Sequence, residues 1–350
     1  TEAGAWPRAL VGVRFTVSLG GQMGWTLSAT LAVERHSVFQ ENHAERLRNA
    51  FGTAHRGTDH TAASAAGNSF RFKPRLLKRL HRRVHVRIGI DNEVQLAQME
   101  KVFATEARPL EVQIEYEVGE VRTGVTNDEQ LTRLVAAIQA CKHVVLKGIF
   151  SHEGHTYKAA SIADCCEKAQ IAYTKTVRAA EIIRGMGVEL DTVSVGATPS
   201  VMHMQSFPGI TELRLGTYIF FDVGQSNAIG DFDRCAATVL ASVISKPQAD
   251  RVVLDTGAKA LVSQNRPTGI CATAGFGAIK GAEDITIDAL FDEHGVLNSA
   301  KFREQVAVGD KVEVIPSHVC PTVNLYDTAY LVSNGKVIRT LPIECRGHSK

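Results

Sequence analysis

Long unbroken hydrophobic runs are what this 350-residue chain most lacks. The stretch from Ala9 to Val33 comes nearest, but Arg14, Gly20, Gly21 and Gln22 interrupt it. It therefore reads neither as a membrane-spanning helix nor as a signal peptide, and no targeting segment or membrane partner is expected. The seven cysteines, at 141, 165, 166, 235, 271, 320 and 345, are an odd set without zinc-ribbon spacing. They do not resemble a secreted disulfide framework, which points to a reducing, cytoplasmic setting. No internal repeat is present, and no lysine occurs before Lys73. Hydrophobic content of 44% and charged content of 22% exclude a disordered chain. The length suits two domains or one large barrel with an appendage.

The net charge of +2 conceals an asymmetry. Residues 1–90 carry 14 Lys/Arg against 5 Asp/Glu, or +9, whereas the remainder carries 25 against 32, or −7. Arg71, Lys73, Arg75, Lys78, Arg79, Arg82, Arg83 and Arg87 are concentrated in one short stretch. No recognised nucleic-acid module surrounds them, and a charge run is usually a solvated surface, so no nucleic-acid partner is expected.

From residue 86 the pattern becomes regular. Val86 to Ile90 reads as a strand, and Leu96, Met99 and Phe103 recur at helical spacing. Leu110, Val112, Ile114, Tyr116 and Val118 alternate with Glu111, Gln113, Glu115 and Glu117, the period of a strand. Leu131, Leu134, Val135 and Ile138 mark a helix, Val144 to Ser151 a strand, residues 161–186 a long helix, and Leu190 to Val195 a strand. Repeated β-α-β of this kind favours a parallel sheet or barrel with ligands at the C-terminal ends of its strands. After residue 230 the character changes to β-branched runs at Thr238–Ser245, Arg251–Leu254, Lys311–Ile315 and Ala329–Val332, read as a mostly β domain.

The chemistry-bearing residues gather at the predicted strand ends. Ser194-Val195-Gly196-Ala197-Thr198-Pro199-Ser200 offers hydroxyls and amides to a phosphate monoester, although such loops are more often plain turns. Arg214-Leu215-Gly216-Thr217-Tyr218 repeats the theme with a cation and a phenol. Arg122 follows the acidic-faced strand, where an arginine commonly just neutralises carboxylates. His152 and His155 flank Glu153 and suit acid–base work or stacking on an aromatic cofactor. His318-Val319-Cys320, read as extended, puts imidazole and thiolate on one face, a pair suited to zinc that leaves the remaining ligands to water, substrate or another side chain.

Taken in order, several stretches resemble the D-serine dehydratase and D-threonine aldolase family, whose barrel is shared with alanine racemase. They are Val118 to Val125, Gly148 to Tyr157 (GIFSHEGHTY), Ser194 to Ser200, Thr211 to Asp222 (TELRLGTYIFFD), Val253 to Ala260, Asp292 to Gly295, Ile315 to Asp327 (IPSHVCPTVNLYD) and Ile343 to Gly347. The resemblance implies an α/β fold: a pyridoxal-phosphate-binding TIM-type (β/α)8 barrel followed by a mostly β C-terminal domain. Its segments would be an atypical basic region over 1–85 that either forms the first part of the barrel or leaves it incomplete at the N-terminus, the barrel domain over 86–230, and a metal-binding domain over 231–350. Arg122 would sit near the cofactor's phenolic oxygen and His152 against its ring, both as catalytic groups, with Tyr157 beside them. Ser194, Thr198, Gly216 and Thr217 would hold the phosphate, and Arg214 or Tyr218 would lie on the pyridine side. His318 and Cys320 would bind a divalent metal, zinc first and manganese or magnesium as alternatives, as a Lewis acid for the substrate's β-hydroxyl. The site would form between two subunits of a homodimer and act on a small D-amino acid. His-X-Cys favours a D-serine dehydratase, giving pyruvate and ammonia, over a D-threonine aldolase, giving glycine and an aldehyde.

One departure stands out. The family carries its Schiff-base lysine in a short Arg-Pro-His-X-Lys-Thr-His stretch near the N-terminus, and no such stretch occurs here. Lys73 and Lys78 lie too close to the Val86 strand to match its spacing. Three accounts are open: a truncated or misread N-terminal sequence, a substitute lysine, or a non-catalytic relative.

Overall fold

The alternation that begins at residue 86 folds into a sheet whose strands follow one another in sequence order. The structure, a computed structural model, describes residues 13–19, 25–31, 76–344 and Arg346. Strands β1 (Val13–Leu19) and β2 (Trp25–Leu31) pair antiparallel, and β2 pairs antiparallel with β3 (Arg87–Ile90). From there β4 (Leu110–Glu115), β5 (Val144–Phe150), β6 (Thr192–Val195) and β7 (Glu212–Leu213) are all added in parallel. Among the described residues no pairing joins β7 back to β1. The rest of the basic region over 1–85, Lys73 included, lies outside the described residues up to residue 75.

Helices α1 (Glu93–Phe103), α2 (Asp128–Gln139) and α3 (Ile162–Gly185) fill the crossovers. Each begins where a short polar side chain caps it: Asn92, Asn127 and Ser161 accept from the backbone N–H three residues on. Each buries one stripe against the sheet, Leu96, Met99 and Phe103 from α1 and Leu131, Leu134, Val135 and Ile138 from α2. Helix α3 presents Ala169, Ala172, Ala179 and Ala180, small residues that let it lie close over strands carrying the fully buried Leu110, Val112, Ile114 and Ile149. Burial on both sides accounts for the nearly continuous apolar character of these strands.

After the short helices α4 (Thr198–His203) and α5 (Val223–Ile229), a second sheet forms. It contains β8 (Val239–Ser245), β9 (Arg251–Leu254), β10 (Gly277–Ile279), β11 (Ala282–Thr286), β12 (Ala289–Leu290), β13 (Gly295–Asn298) and β14 (Lys311–Pro316). All its pairings are antiparallel, around a core that includes Leu254, Ile287, Leu297 and Val314. Helix α6 (Ala300–Gln305) covers it through Phe302, and α7 (Val319–Val323) follows β14. A separate hairpin, β15 (Thr328–Ser333) with β16 (Lys336–Pro342), leaves Tyr330, Val332, Val337 and Ile338 exposed. No helix among the described residues is long and apolar enough to cross a membrane.

The described part of the basic run spends its charge locally. Arg82 makes a two-pronged pair with Glu106 at 2.7 Å, Lys78 reaches the same carboxylate at 3.0 Å, and Arg87 pairs with Glu111 at 2.8 Å. Arg82 beside it holds the Glu106 carboxyl down at about 2.

The two sheets meet through the loop around residues 266–273. The Ile270 amide donates to the Ala159 carbonyl at 2.8 Å, in the segment between β5 and helix α3. Gly269 makes this contact possible: at φ +90° its backbone lies so near that a Cβ would stand 2.5 Å from Lys158 Cα and 2.6 Å from the Tyr157 carbonyl. Gly281, at φ +82°, has open space around it. Gly269→Ala is therefore expected to add overpacking of about 1–3 kcal/mol to the backbone strain that Gly281→Ala carries alone. Denaturant midpoints that fall equally in both variants would contradict this docking contact.

Candidate active site

At the C-terminal end of β5 the chain presents Ser151, His152 and Glu153 in succession. Neighbouring side chains on an extended segment point opposite ways, so His152 and Glu153 diverge. His152 Nδ1 lies 3.0 Å from the Gly196 carbonyl. A carbonyl only accepts, so Nδ1 carries the hydrogen and Nε2 keeps its lone pair. Burial, helped by Arg122 and Arg214, lowers the His152 pKa from 6.5 to about 4, leaving the ring neutral near pH 7. Arg122 and His152 line one cleft with Glu115, Glu117 and Glu120. Arg122 is exposed there, 3.6 Å from Glu115, on a loop in which Glu117 accepts from the Gly119 and Val121 amides and Val121 adopts φ 55°. His155 lies against Gly119, where a Cβ would meet its ring at 2.9 Å.

The turn after β6 is held from inside. Glu153, wholly buried, accepts from the amides of Gly196 at 3.1 Å and Ala197 at 2.8 Å, from Ser200 Oγ at 2.7 Å and from Tyr173 OH at 3.3 Å. A Cβ on Gly196 would meet the Arg214 backbone at 2.5 Å, so only glycine lets the turn lie this close to the segment after β7. Beyond the turn the buried Thr217 hydroxyl donates to Thr198 Oγ1 at 2.8 Å, and open space adjoins Gly216. The Thr198 backbone bonds the buried Tyr157 phenol, whose pKa burial raises. Two buried hydroxyls beside an uncrowded glycine fit a phosphate monoester.

The other expected cofactor residues take varied positions. Ser194 is used inside the protein: its hydroxyl donates to Glu212 at 2.6 Å and accepts from Arg214 Nε at 2.8 Å. Arg214 also donates to the Ser151 carbonyl and lies 4.9 Å over the Phe150 ring, which fixes its guanidinium against the C-terminal end of β5. Tyr218 packs with Phe221 and Met202, and burial raises its pKa. Of the lysines considered from sequence, Lys78 is turned to Thr105 and Glu106.

The metal pair differs from its reading as an extended segment. His318 is extended, at φ −142° and ψ 109°, but Val319 begins helix α7, so Cys320 lies in a helical turn instead of two positions along a strand face. What joins the two is their surroundings. His318 Nδ1 lies 3.0 Å from Gln264 Oε1; donation to that oxygen leaves Nε2 as the ligating nitrogen. The amide of Val319, between the pair, donates to Asp222 Oδ2 at 3.0 Å. Burial, then the charge of Arg266, lowers the His318 pKa to about 4; burial, then Asp222, raises that of Cys320. A neutral imidazole beside a thiol suits a thiophilic divalent cation. No cluster of three or more His, Cys, Asp or Glu suited to a metal occurs among the described residues.

Three residues that sequence reasoning did not assign prove central. Glu153 was visible only as the glutamate between two histidines. Asp222, wholly buried, accepts from Gln225 N through Oδ1 and from Val319 N through Oδ2. Arg266 stacks 4.9 Å over Tyr157 and bears on His318 and Cys320, joining the cofactor side to the metal side. None has a spacing signature.

Two imidazoles depressed to about 4 have a pH consequence. The unfolded chain binds their protons near pH 6.5 and the folded one near 4, so this stability is present above pH 6.5 and lost as pH falls toward 4. The loss for His152 approaches about 3 kcal/mol. Denaturation at pH 7 and pH 5 before any ligand is added is expected to show it, with a smaller loss in His152→Asn; an equal loss in the variant would contradict the assignment.

Comparison with known proteins bears on the family and the fold. Residues 30–223 match the alanine racemase N-terminal domain family and residues 236–332 the putative serine dehydratase domain. The chain is 30% identical over 280 residues to D-threonine aldolase of an Arthrobacter species, covering 79% of this chain and 71% of that protein. It is 28% identical over 288 residues to D-serine dehydratase of Schizosaccharomyces pombe, covering 75% and 68%. The solved D-threo-3-hydroxyaspartate dehydratase of a Delftia species superposes with a TM-score of 0.72 at 23% identity over 85% of this chain and 82% of that one. A cysteine-to-alanine variant of a D-threo-3-hydroxyaspartate dehydratase in a metal-free form superposes with a TM-score of 0.72 at 22% identity over 85% of this chain and 82% of that one. The chain belongs to the D-serine dehydratase and D-threonine aldolase-like family, a pyridoxal-phosphate-dependent lyase family with the alanine racemase-like fold.

Proposed function

We propose that this chain is a pyridoxal-phosphate- and metal-dependent lyase of D-β-hydroxy amino acids, acting as a cytoplasmic homodimer and dehydrating D-serine to pyruvate and ammonia. The observation that carries this reading is the His318–Cys320 pair, with Nδ1 of His318 beside Gln264 and the intervening amide tied to Asp222. A thiol in the donor set favours zinc over a harder cation, and a cation acting on the β-hydroxyl favours its departure. Residues 86–230 supply the cofactor half of this site and 231–350 the metal half.

Bound pyridoxal phosphate supplies an electron sink for the pair released at Cα. Thr198, Gly216 and Thr217 would hold its phosphate, and His152, with Nε2 unprotonated, would lie on the ring side. Arg122 supplies positive charge at the open side of the mouth, and Arg214 from beneath. Tyr157 is stacked under Arg266, whose charge bears on His318 and Cys320. The exposed apolar residues of the β15–β16 hairpin support a second subunit, because an isolated two-stranded hairpin needs a covered face.

Full-length protein supplied with pyridoxal phosphate and zinc is expected to form pyruvate from D-serine. Chelation should abolish the reaction, and His318→Ala or Cys320→Ala should lower kcat/KM by about 100-fold or more. Glycine and acetaldehyde from D-threonine, without pyruvate from D-serine, would replace dehydration with aldol cleavage. No turnover of either would leave a non-catalytic relative.

A further inference from the structure

His152 and Glu153 diverge from the end of β5 and then grip the same peptide. The Gly196 carbonyl accepts from His152 Nδ1 at 3.0 Å, and the Ala197 amide donates to Glu153 Oε1 at 2.8 Å. Those two groups belong to one peptide plane, so its orientation is set from both sides. Glu153 Oε2 takes the preceding amide, Gly196 N, at 3.1 Å. Ser200 and Tyr173 complete the shell, so this wholly buried carboxylate faces four donors.

We propose that Glu153 is a positioning residue that holds the Gly196–Ala197 peptide and thereby fixes the Nδ1–H tautomer of His152. With that hold, Nε2 faces the mouth as an acceptor and Thr198 stands ready beside Thr217. The relevance to the cofactor rests on the reading above; the tautomer does not. A rotated peptide would turn an N–H toward His152, and Nδ1 could then only accept. The Gly196 and Ala197 amides, taken by Glu153, are not offered to a phosphate, which is left to Thr198, Gly216 and Thr217. A glutamine at 153 has one oxygen for two backbone N–H groups that use two different oxygens, so one N–H would face its NH2.

The test is long-range proton–nitrogen correlation on the full chain with nitrogen-15-labelled histidine, without added cofactor, the His152 signals being assigned by their loss in His152→Asn. The native protein is expected to show His152 as a single Nδ1–H tautomer. Glu153→Gln should give a mixture, and its pyridoxal phosphate dissociation constant should rise about tenfold. Ser200→Ala, which leaves both amides on the carboxylate, should keep the single tautomer. If Glu153→Gln does not fold, Glu153→Asp, too short to reach both amides, is read in its place. A folded variant at 153 that retains the pure Nδ1–H tautomer overturns the proposal. A native protein with the expected tautomer but no uptake of pyridoxal phosphate overturns the cofactor reading instead.

Discussion

The buried carboxylate of Asp222 joins the two halves of the site. It stands nine residues beyond the last parallel strand, caps helix α5 through Gln225 N, and accepts from Val319 N between the candidate metal ligands. Burial raises its pKa while these backbone donors oppose the shift. This side chain ties the segment after the parallel sheet to the amide between His318 and Cys320. The docking of the 266–273 loop on residues 157–159 adds a second tie, and Arg266 over Tyr157 a third. The end of the parallel sheet and the segment carrying His318 and Cys320 are therefore tied together, although nearly all the chain between them belongs to a different sheet.

Charge in this site is handled by fixed polar groups more than by solvent. Glu153 is satisfied by two amides and two hydroxyls, and Arg214 by Ser194 and the Ser151 carbonyl. His152 and His318 are neutral near pH 7 for a shared reason, burial beside cations. Such a mouth is organised before a ligand arrives, so binding need not spend energy on rearranging it.

Much of the fold is legible in the sequence. The strand at Arg251–Leu254 and the helices at 93–103, 128–139 and 162–185 follow from periodicity, because each buries one stripe against a sheet and begins at a capping side chain. The strand-end positions of His152, Thr198 and Thr217 were readable for the same reason. Long-range partnerships were not: Glu153 meets Ala197 across 44 residues and Asp222 meets Val319 across 97, and neither leaves a local pattern. Ser194 looked like a phosphate ligand because a hydroxyl after a strand has no visible partner in sequence; in the fold it has Glu212 and Arg214. His-X-Cys was read with the period of a strand, and the helix starting at Val319 changed that geometry while keeping the pair beside Asp222 and Arg266.

The family fixes its cofactor covalently through a lysine, whereas the first lysine here is Lys73 and Lys78 is turned to Glu106. The account of this chain as a lyase stands or falls on that amine. Borohydride reduction in the presence of pyridoxal phosphate, followed by peptide mass mapping, measures it directly. The account predicts one lysine labelled in proportion to protein, with D-serine protecting it. A chain that takes no label at any lysine would contradict it.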